Sequence, residues 1–301
     1  MKISIVVPTY NKLPRLKLML DSAINQIDIC DDYEICVVDD GSSDGTEMYI
    51  NELMKRHDNV KYIRQKNQGR SKARNVGIKN TIGELVVFVD DDMLLPPRYL
   101  KGHTENNQIN VIRHGQIIDL INLKFYIDPT SGKYYPELKR NKSNALSDNC
   151  LSRDDVAKHF YEKIVNKNCK ISRCEWLIEQ IFNQGIKDYQ WLGFTGGNVS
   201  IPRTFLGKDN CFDEEFGPNW GFEDFELGYR LWKNGYKFEY DYNAVAYHMS
   251  HYRSNFNLES SITSRCFVEK VDANKVQEIV DFVNGNIKKG DLLRNLAELS
   301  C

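Results

Sequence analysis

The chain has 301 residues, 41% hydrophobic and 27% charged, with a formal net charge of −2 at pH 7. That length suits one large α/β domain or a domain with a smaller addition, and the composition is that of an ordinary folded protein. The near-neutral balance gives no global field for nucleic acid or an anionic membrane, so nucleic acid is not expected as a partner, while peripheral membrane contact stays open.

Met1 to Tyr10 carries one lysine and a short apolar run broken by Pro8, which is not a secretory h-region. Within it, Ile3 to Val7 is a continuous β-branched run, as in a strand buried on both faces of a parallel sheet. Leu13 to Ile24 follows with Leu16, Leu20, Ala23 and Ile24 near helical spacing. Tyr33 to Val38 reads as a second strand, ended by the turn chemistry of Asp39-Asp40-Gly41-Ser42-Ser43-Asp44-Gly45. Thr46 to Arg56 reads as a helix, Val60 to Ile63 as a strand, and Ser71 to Asn80 as a helix.

Leu85 to Val89 is a fourth strand that runs into Asp90-Asp91-Asp92. This longest β-like apolar run is far short of the ~20 residues of a membrane helix, so no transmembrane segment is expected and the chain reads as cytoplasmic. From about Glu105 to Gln190 the pattern is irregular, with helices expected over Asp154 to Val165 and Cys174 to Phe182. A helix is expected within Gly217 to Asn234, a strand over Phe238 to His248, and tail helices over Lys275 to Asn284 and Leu292 to Leu299. The eight cysteines, Cys30, Cys36, Cys150, Cys169, Cys174, Cys211, Cys266 and Cys301, contain no C-x-x-C and read as scattered reduced thiols.

Strands alternating with helices imply βαβ units and a mostly parallel sheet, whose ligands bind at the carboxyl ends of the strands. Three strands end in loops with chemical potential. Adjacent carboxylates Asp90, Asp91 and Asp92 repel one another unless solvated or neutralised by a cation. Mg²⁺ or Mn²⁺ would suit them, keeping positions for phosphate oxygens. Alternate strand residues share a side, so Asp90 and Asp92 are the expected pair. A solvated acidic loop is the plain alternative.

Asp39-Asp40 could accept hydrogen bonds from a base or ribose, or serve as an Asx-type turn. Arg70, Lys72 and Arg74 gather at a helix start, where an anion such as a diphosphate is favoured; a solvated basic face is the alternative. Glu223 and Asp224 diverge by about 100° on a helix, so one of them can face an acceptor proton; a favoured acidic first turn is the alternative. His248, with His251 behind it, could complete a metal site, although a lone histidine is more often structural. Gly196-Gly197-Asn198 offers a flexible backbone and an amide for sugar hydroxyls, or simply a turn.

Together, and in this order, Val6-Val7-Pro8-Thr9-Tyr10-Asn11, Val37-Val38-Asp39-Asp40-Gly41-Ser42, Ala73-Arg74-Asn75-x-Gly77, Phe88-Val89-Asp90-Asp91-Asp92, Gly196-Gly197-Asn198 and Glu223-Asp224 resemble the family-2 nucleotide-sugar glycosyltransferases. The resemblance covers roughly residues 1–100 and 190–250. Trp220 to Leu231 also looks like a stretch of galactosyl- and N-acetylgalactosaminyl-transferases. It implies a GT-A fold, an α/β Rossmann-like and mostly parallel sheet flanked by helices, with a C-terminal helical extension. Residues 1–104 would bind the nucleotide sugar, 105–250 the acceptor, and 251–301 would form the extension.

By the same resemblance, Pro8, Thr9, Tyr10 and Asp39 flank a uracil-type base and ribose, with Asp40 a further nucleotide contact. Asp90 lies by the ribose, Arg74 near the phosphates, and Asp91 and Gly196-Gly197-Asn198 are further contacts of the nucleotide sugar. Asp92, Asp90 and His248 ligate Mn²⁺ or Mg²⁺, with His251 as the substitute. Asp224 acts as base in an inverting transfer, and Glu223 orients acceptor or donor. Three successive aspartates stand where the family's DXD motif commonly reads D-x-D-D, which makes Asp91 and Asp92 partly exchangeable. Two other functions fit an α/β nucleotide fold: a sugar-phosphate nucleotidyltransferase, and a silent nucleotide-sugar-binding module.

Overall fold

A computed structural model describes residues 1–29, 32–105, 110–138, 150–158, 169–271 and 273–299. The four N-terminal strands lie where the hydrophobic runs predict them: β1 (Ile3–Thr9), β2 (Tyr33–Asp39), β3 (Val60–Arg64) and β4 (Leu85–Val89). They alternate with α1 (Leu13–Ile24), α2 (Thr46–Met54) and α3 (Arg70–Lys79). β1 pairs in parallel with both β2 and β4, and β2 with β3. β1, β2 and β4 are buried along almost their whole length, which is why their sequences are unbroken β-branched runs.

Beyond β4 come β5 (Met93–Leu94), α4 (Tyr99–Thr104) and β6 (Ile112–Leu120). β7 (Tyr126–Asp128) and β8 (Lys133–Tyr134) form a small separate hairpin. After α5 (Arg153–Ala157), β9 (Cys169–Lys170) and α6 (Arg173–Asn183), β10 (Asn198–Pro202) inserts antiparallel between β4 and β6. α7 (Glu223–Lys233) leads to β11 (Phe238–His248), which runs parallel to β6. The tail is α8 (Phe256–Lys270), α9 (Ala273–Val283) and α10 (Lys289–Leu299). Among the described residues the sheet has nine strands in the order β3-β2-β1-β4-β10-β6-β11-β5, with β9 on β6. It is a curled, mainly parallel sheet flanked by helices.

Side-chain alternation along the strands divides the core. Ile5, Val7, Val87 and Val89 face α1 and α2 through Leu16, Met19, Leu20 and Ile50. Val6, Val86, Phe88, Val199 and Ile201 face the other way, into Trp191, α6, α7 and the tail residues Phe267, Val276, Phe282 and Leu292. The tail therefore shares a core with the sheet. Each such side chain contributes about 1.5–3 kcal/mol by leaving water.

Two elements depart from the sequence pattern. β6 reads Ile-Arg-His-Gly-Gln-Ile-Ile-Asp-Leu, too polar for an expected strand, yet Arg113 and His114 are buried because acidic partners reach them. α8 turns Ser260, Thr263, Ser264 and Phe267 inward and leaves Leu258 and Ile262 exposed, so its apolar spacing gives no helical signal. Of the helix expected over Asp154 to Val165, Arg153–Ala157 is seen, and residues 159–165 lie outside the described residues, as do Cys30 and Cys301.

Candidate active site

The carboxyl ends of β1, β2 and β4 converge on one cavity of about 310 Å³, lined by Pro8, Thr9, Tyr10, Lys12, Asp40, Asn67, Gly69, Arg70, Ala73, Asp90, Asp91, Pro218, Trp220, His251, Arg253 and Glu259. That volume lies in the small-molecule range. The turn after β1 is held by Asn11, whose backbone adopts φ 51°, a left-handed conformation that asparagine tolerates. Its N–H donates to Ser42 Oγ, and its Oδ1 accepts from the Ser43 N–H, both at 2.8 Å. The two strand-end turns are thereby tied together, leaving Tyr10 48% exposed at the cavity.

The two aspartates after β2 divide differently from expectation. Asp39 is wholly buried and does not line the cavity; it accepts from the Ser42 N–H and from Tyr62 Oη. Asp40 does line it, but its oxygens accept from Gln65 Nε2 and from the N–H groups of Gln68 and Gly69. The anion at the N-terminus of α3 is therefore Asp40 itself, which complements the helix dipole. Gly69 permits this close turn: at φ +95°, an added Cβ would fall 1.9 Å from the Gly217 carbonyl oxygen.

The three cations of α3 also separate. Lys72 pairs with Glu214 at 2.8 Å, and Arg70 faces the cavity. Arg74 lies beneath the cavity, 1% exposed, where it donates to Asp90 Oδ1 at 2.9 Å and to Glu223 Oε1 at 2.8 Å. Burial alone would lower its pKa, but Asp90, Glu223 and Asp224 raise it. The cavity cations are thus Lys12, Arg70 and Arg253, in place of Arg74.

Because β4 ends at Val89, residues Asp90 to Asp92 form a turn, and strand alternation does not pair Asp90 with Asp92. The carboxylates diverge. Asp90 meets Arg74; Asp91 accepts from Thr9 Oγ1 at 2.7 Å; Asp92 faces the end of β11. There Asp92, His248 and His251 present ligand atoms within 4.8 Å of one another. Asp90 stands outside that trio.

The chemistry of this donor set fits a divalent ion. His248 Nδ1 lies 2.7 Å from Asp119 Oδ1, so Nδ1–H donates there and Nε2 faces Asp92. His251 Nδ1–H donates to the Tyr252 carbonyl at 3.1 Å, which leaves the Nε2 lone pair on the same side. One carboxylate and two imidazoles, each oriented by an outer acceptor, suit Mn²⁺ well and Mg²⁺ less well. Burial opposes the charge on Asp92, but Lys12 and His248 hold its carboxyl well below the usual range. Burial also opposes charge on His248, yet Asp92 and Asp119 push it up to about 9. Asp119 and His251 came from different signals: His251 was visible as a fallback ligand, whereas Asp119 sits on the unrecognised strand β6.

Glu223 and Asp224 open α7 and do not line this cavity. Phe222, just before them, is held at φ 68°. That conformation costs roughly 1–2 kcal/mol in a residue with a Cβ. Phe222 stacks on Phe267 at 5.5 Å and meets Phe225 edge-on at 6.1 Å, contacts worth about 0.5–1.5 kcal/mol each, which offset the strain. Glu223 Oε1 is fixed by Arg74, while its buried Oε2 has no hydrogen-bond partner. Asp224 Oδ2 accepts from the Gly196 N–H at 3.0 Å. Burial, and next the Glu223 charge, push Asp224 up to about 6.

Gly196 packs flat on Arg74, where a Cβ would meet the guanidinium at 2.1 Å, and Gly197 packs on Met93. Asn198 corrects the sequence expectation. It is fully buried; its Oδ1 accepts from Tyr99 Oη and meets His103 Nε2, and its Nδ2 donates to the Gln116 and Ala244 carbonyls. All its amide capacity is used inside the protein, leaving none for a sugar.

A second cavity of about 470 Å³ adjoins the first through Trp220, His251 and Arg253, and adds Phe125, His248, Tyr252 and Phe256. Arg253 lies over the Trp220 ring at 4.6 Å, and Trp220 packs on Phe256 at 5.0 Å. The metal-type cluster therefore borders both cavities.

Residues 4–110 match the model of glycosyl transferase family 2. Chondroitin synthase of Escherichia coli is 32% identical over 251 residues, covering 82% of this chain and 34% of that protein. The chain thus spans about a third of that relative. Among solved structures, the mannosyltransferase PcManGT of Pyrobaculum calidifontis, in complex with GDP-Man and Mn²⁺, superposes with a TM-score of 0.57 at 15% identity, covering 99% of this chain and 73% of that one. S. aureus TarS 1-349 in complex with UDP-GlcNAc gives 0.52 at 20% identity, covering 94% and 72%. No helix among the described residues is long and apolar enough to cross a membrane. Residues 4–110 thus carry a glycosyl transferase family 2 region, and the sheet with its flanking helices has the GT-A arrangement.

Proposed function

We propose that this chain moves a hexose or N-acetylhexosamine from a nucleoside-diphosphate sugar, with UDP as carrier, to a hydroxyl of a saccharide, lipid-linked or peptide acceptor, in a Mn²⁺- or Mg²⁺-dependent reaction that inverts the anomeric carbon. One juxtaposition carries the reading: the strand-end cavity shares His251 with the Asp92–His248–His251 cluster. A nucleoside diphosphate needs an aromatic face, cations and a metal site in one place, and Tyr10, Arg70, Arg253 and the cluster supply them. TarS, by its bound UDP-GlcNAc, agrees with a UDP-sugar.

Tyr10 stacks on the base, and Arg70 and Arg253 bear the diphosphate. Asp92, His248 and His251 would hold the ion, which when bound would stabilise negative charge on the leaving diphosphate. Asp224 takes the proton from the acceptor hydroxyl as the nucleophile attacks opposite the leaving group. Glu223 is the residue that orients acceptor or donor, its buried Oε2 having no partner within the protein, while Arg74 holds Glu223 and Asp90 in place. The second, aromatic cavity receives the acceptor. Residues 1–104 form the donor half, 105–250 the acceptor and catalytic half, and 251–301 the helical extension.

The test is a panel of UDP- and GDP-sugars with and without Mn²⁺ and saccharide acceptors, following nucleoside diphosphate release and the anomeric configuration of the product. Mn²⁺-dependent release with a β-linked product from an α-linked donor is expected. A retained α-linkage rejects inversion. Failure of every donor to bind in the presence of metal rejects the reading, and pyrophosphate release from a nucleoside triphosphate points instead to a nucleotidyltransferase.

A further inference from the structure

The Lys12 ammonium lies among the atoms that suit a metal. Its Nζ is 2.6 Å from Asp92 Oδ2, 3.0 Å from His251 Nε2 and 3.3 Å from Asp91 Oδ1. Ammonium has only donors, and these three acceptors use all of them. His251 Nε2 can accept because its Nδ1 proton is committed to the Tyr252 carbonyl. Asp92, His248 and His251 are also the cluster able to bind a divalent ion, with His251 Nε2 3.1 Å and His248 Nε2 3.7 Å from the same Asp92 Oδ2. The ammonium and a divalent ion cannot both use the one lone pair of His251 Nε2, and two cations crowded against Asp92 repel each other.

We propose that Lys12 is a tethered cation that competes with the divalent ion for Asp92 and His251, and that it is drawn out by the diphosphate of the donor. The inference rests on the metal-dependent reading above. Lys12 also lines the strand-end cavity, and its side chain is 26% exposed. Its four-carbon stem can carry the ammonium from the cluster into the cavity without moving the backbone. Arg253, which also reaches His251 Nε2 at 3.2 Å, faces the same cavity and reinforces the competition. Metal and nucleotide then bind cooperatively: the diphosphate gives Lys12 a new anionic partner, the ion takes its old ones, and the coupling is reciprocal.

The experiment measures Mn²⁺ binding by electron paramagnetic resonance on the full chain, with and without UDP, for wild type, Lys12→Met and Lys12→Gln. If the ammonium occupies the cluster nine-tenths of the time, its removal tightens Mn²⁺ about tenfold in the absence of nucleotide. UDP should then tighten Mn²⁺ by a smaller factor in the variants than in wild type. Thermal melting supplies a second readout, because the variants leave Asp92 without its ammonium and should gain more in midpoint from Mn²⁺ than wild type does. Equal or weaker Mn²⁺ binding by both folded variants overturns the proposal while leaving the metal site standing. Absence of Mn²⁺ binding in all three proteins, with and without UDP, overturns both the proposal and the metal-dependent reading.

Discussion

Arg74 Nη1 donates to Glu223 Oε1 at 2.8 Å across 149 residues of sequence, while the same guanidinium holds Asp90 through Nη2. One buried side chain thereby joins the strand-end turn to the start of the helix that carries Asp224.

Arg74→Met should consequently act on the scaffold before it acts on chemistry. Removing one partner of a buried ion pair costs about 3–5 kcal/mol, because the carboxylates left behind stay desolvated. Arg74→Lys should be nearly as harmful, since a point charge cannot reproduce the fork that reaches both acids. Chemical denaturation should show the loss with and without nucleotide. A variant of wild-type stability whose sole defect is donor affinity would return Arg74 to the phosphate-binding role expected from sequence.

Asp224 gives the pH dependence. Its pKa stands at about 6, raised by burial and by Glu223, and only the ionised carboxylate can accept the acceptor's proton. As pH falls through 6 the base is protonated, so kcat should fall tenfold per unit below that value and level off above it. Asp224→Asn should lower kcat by about 10²–10⁴ and leave donor binding unchanged. A pH–rate profile for that variant with the same acid limb as wild type would remove Asp224 from the role.

Much of this geometry was legible in the sequence. Continuous apolar runs place β1, β2 and β4, and their polar ends identify the cavity, because strand ends and ligands coincide in such sheets. What was not legible depends on which partner wins a polar group. Asp39, Arg74 and Asn198 are residue types that bind ligands, yet each is buried and engaged inside the protein, by Tyr62, by Glu223 and Asp90, or by Tyr99 and His103. Arg253 and Glu259 reach the cavity from around the start of α8, a helix whose buried face is built of serine and threonine. Asp119 lies on a strand disguised by buried charge.

Asp119 sets the tautomer and direction of His248. Asp119→Asn should keep the fold while weakening Mn²⁺ binding by about 10–100-fold, the usual cost of losing an outer carboxylate behind a ligand histidine. Calorimetric titration of Mn²⁺ into the variant checks this. Unchanged affinity would mean that His248 does not ligate the ion.

Tyr10 tests the nucleotide's position most directly, because it is half exposed at the cavity rim. Stacking of a base on an aromatic ring is worth about 1–3 kcal/mol, so Tyr10→Ala should weaken UDP binding by roughly 5–150-fold with little change in stability. Tyr10→Phe keeps the ring and should bind UDP as wild type does. If both substitutions weaken binding equally, the hydroxyl and not the ring face is the contact. If neither does, the base lies elsewhere along the cavity, toward Trp220, whose ring already carries Arg253 and would have to release it to receive a base.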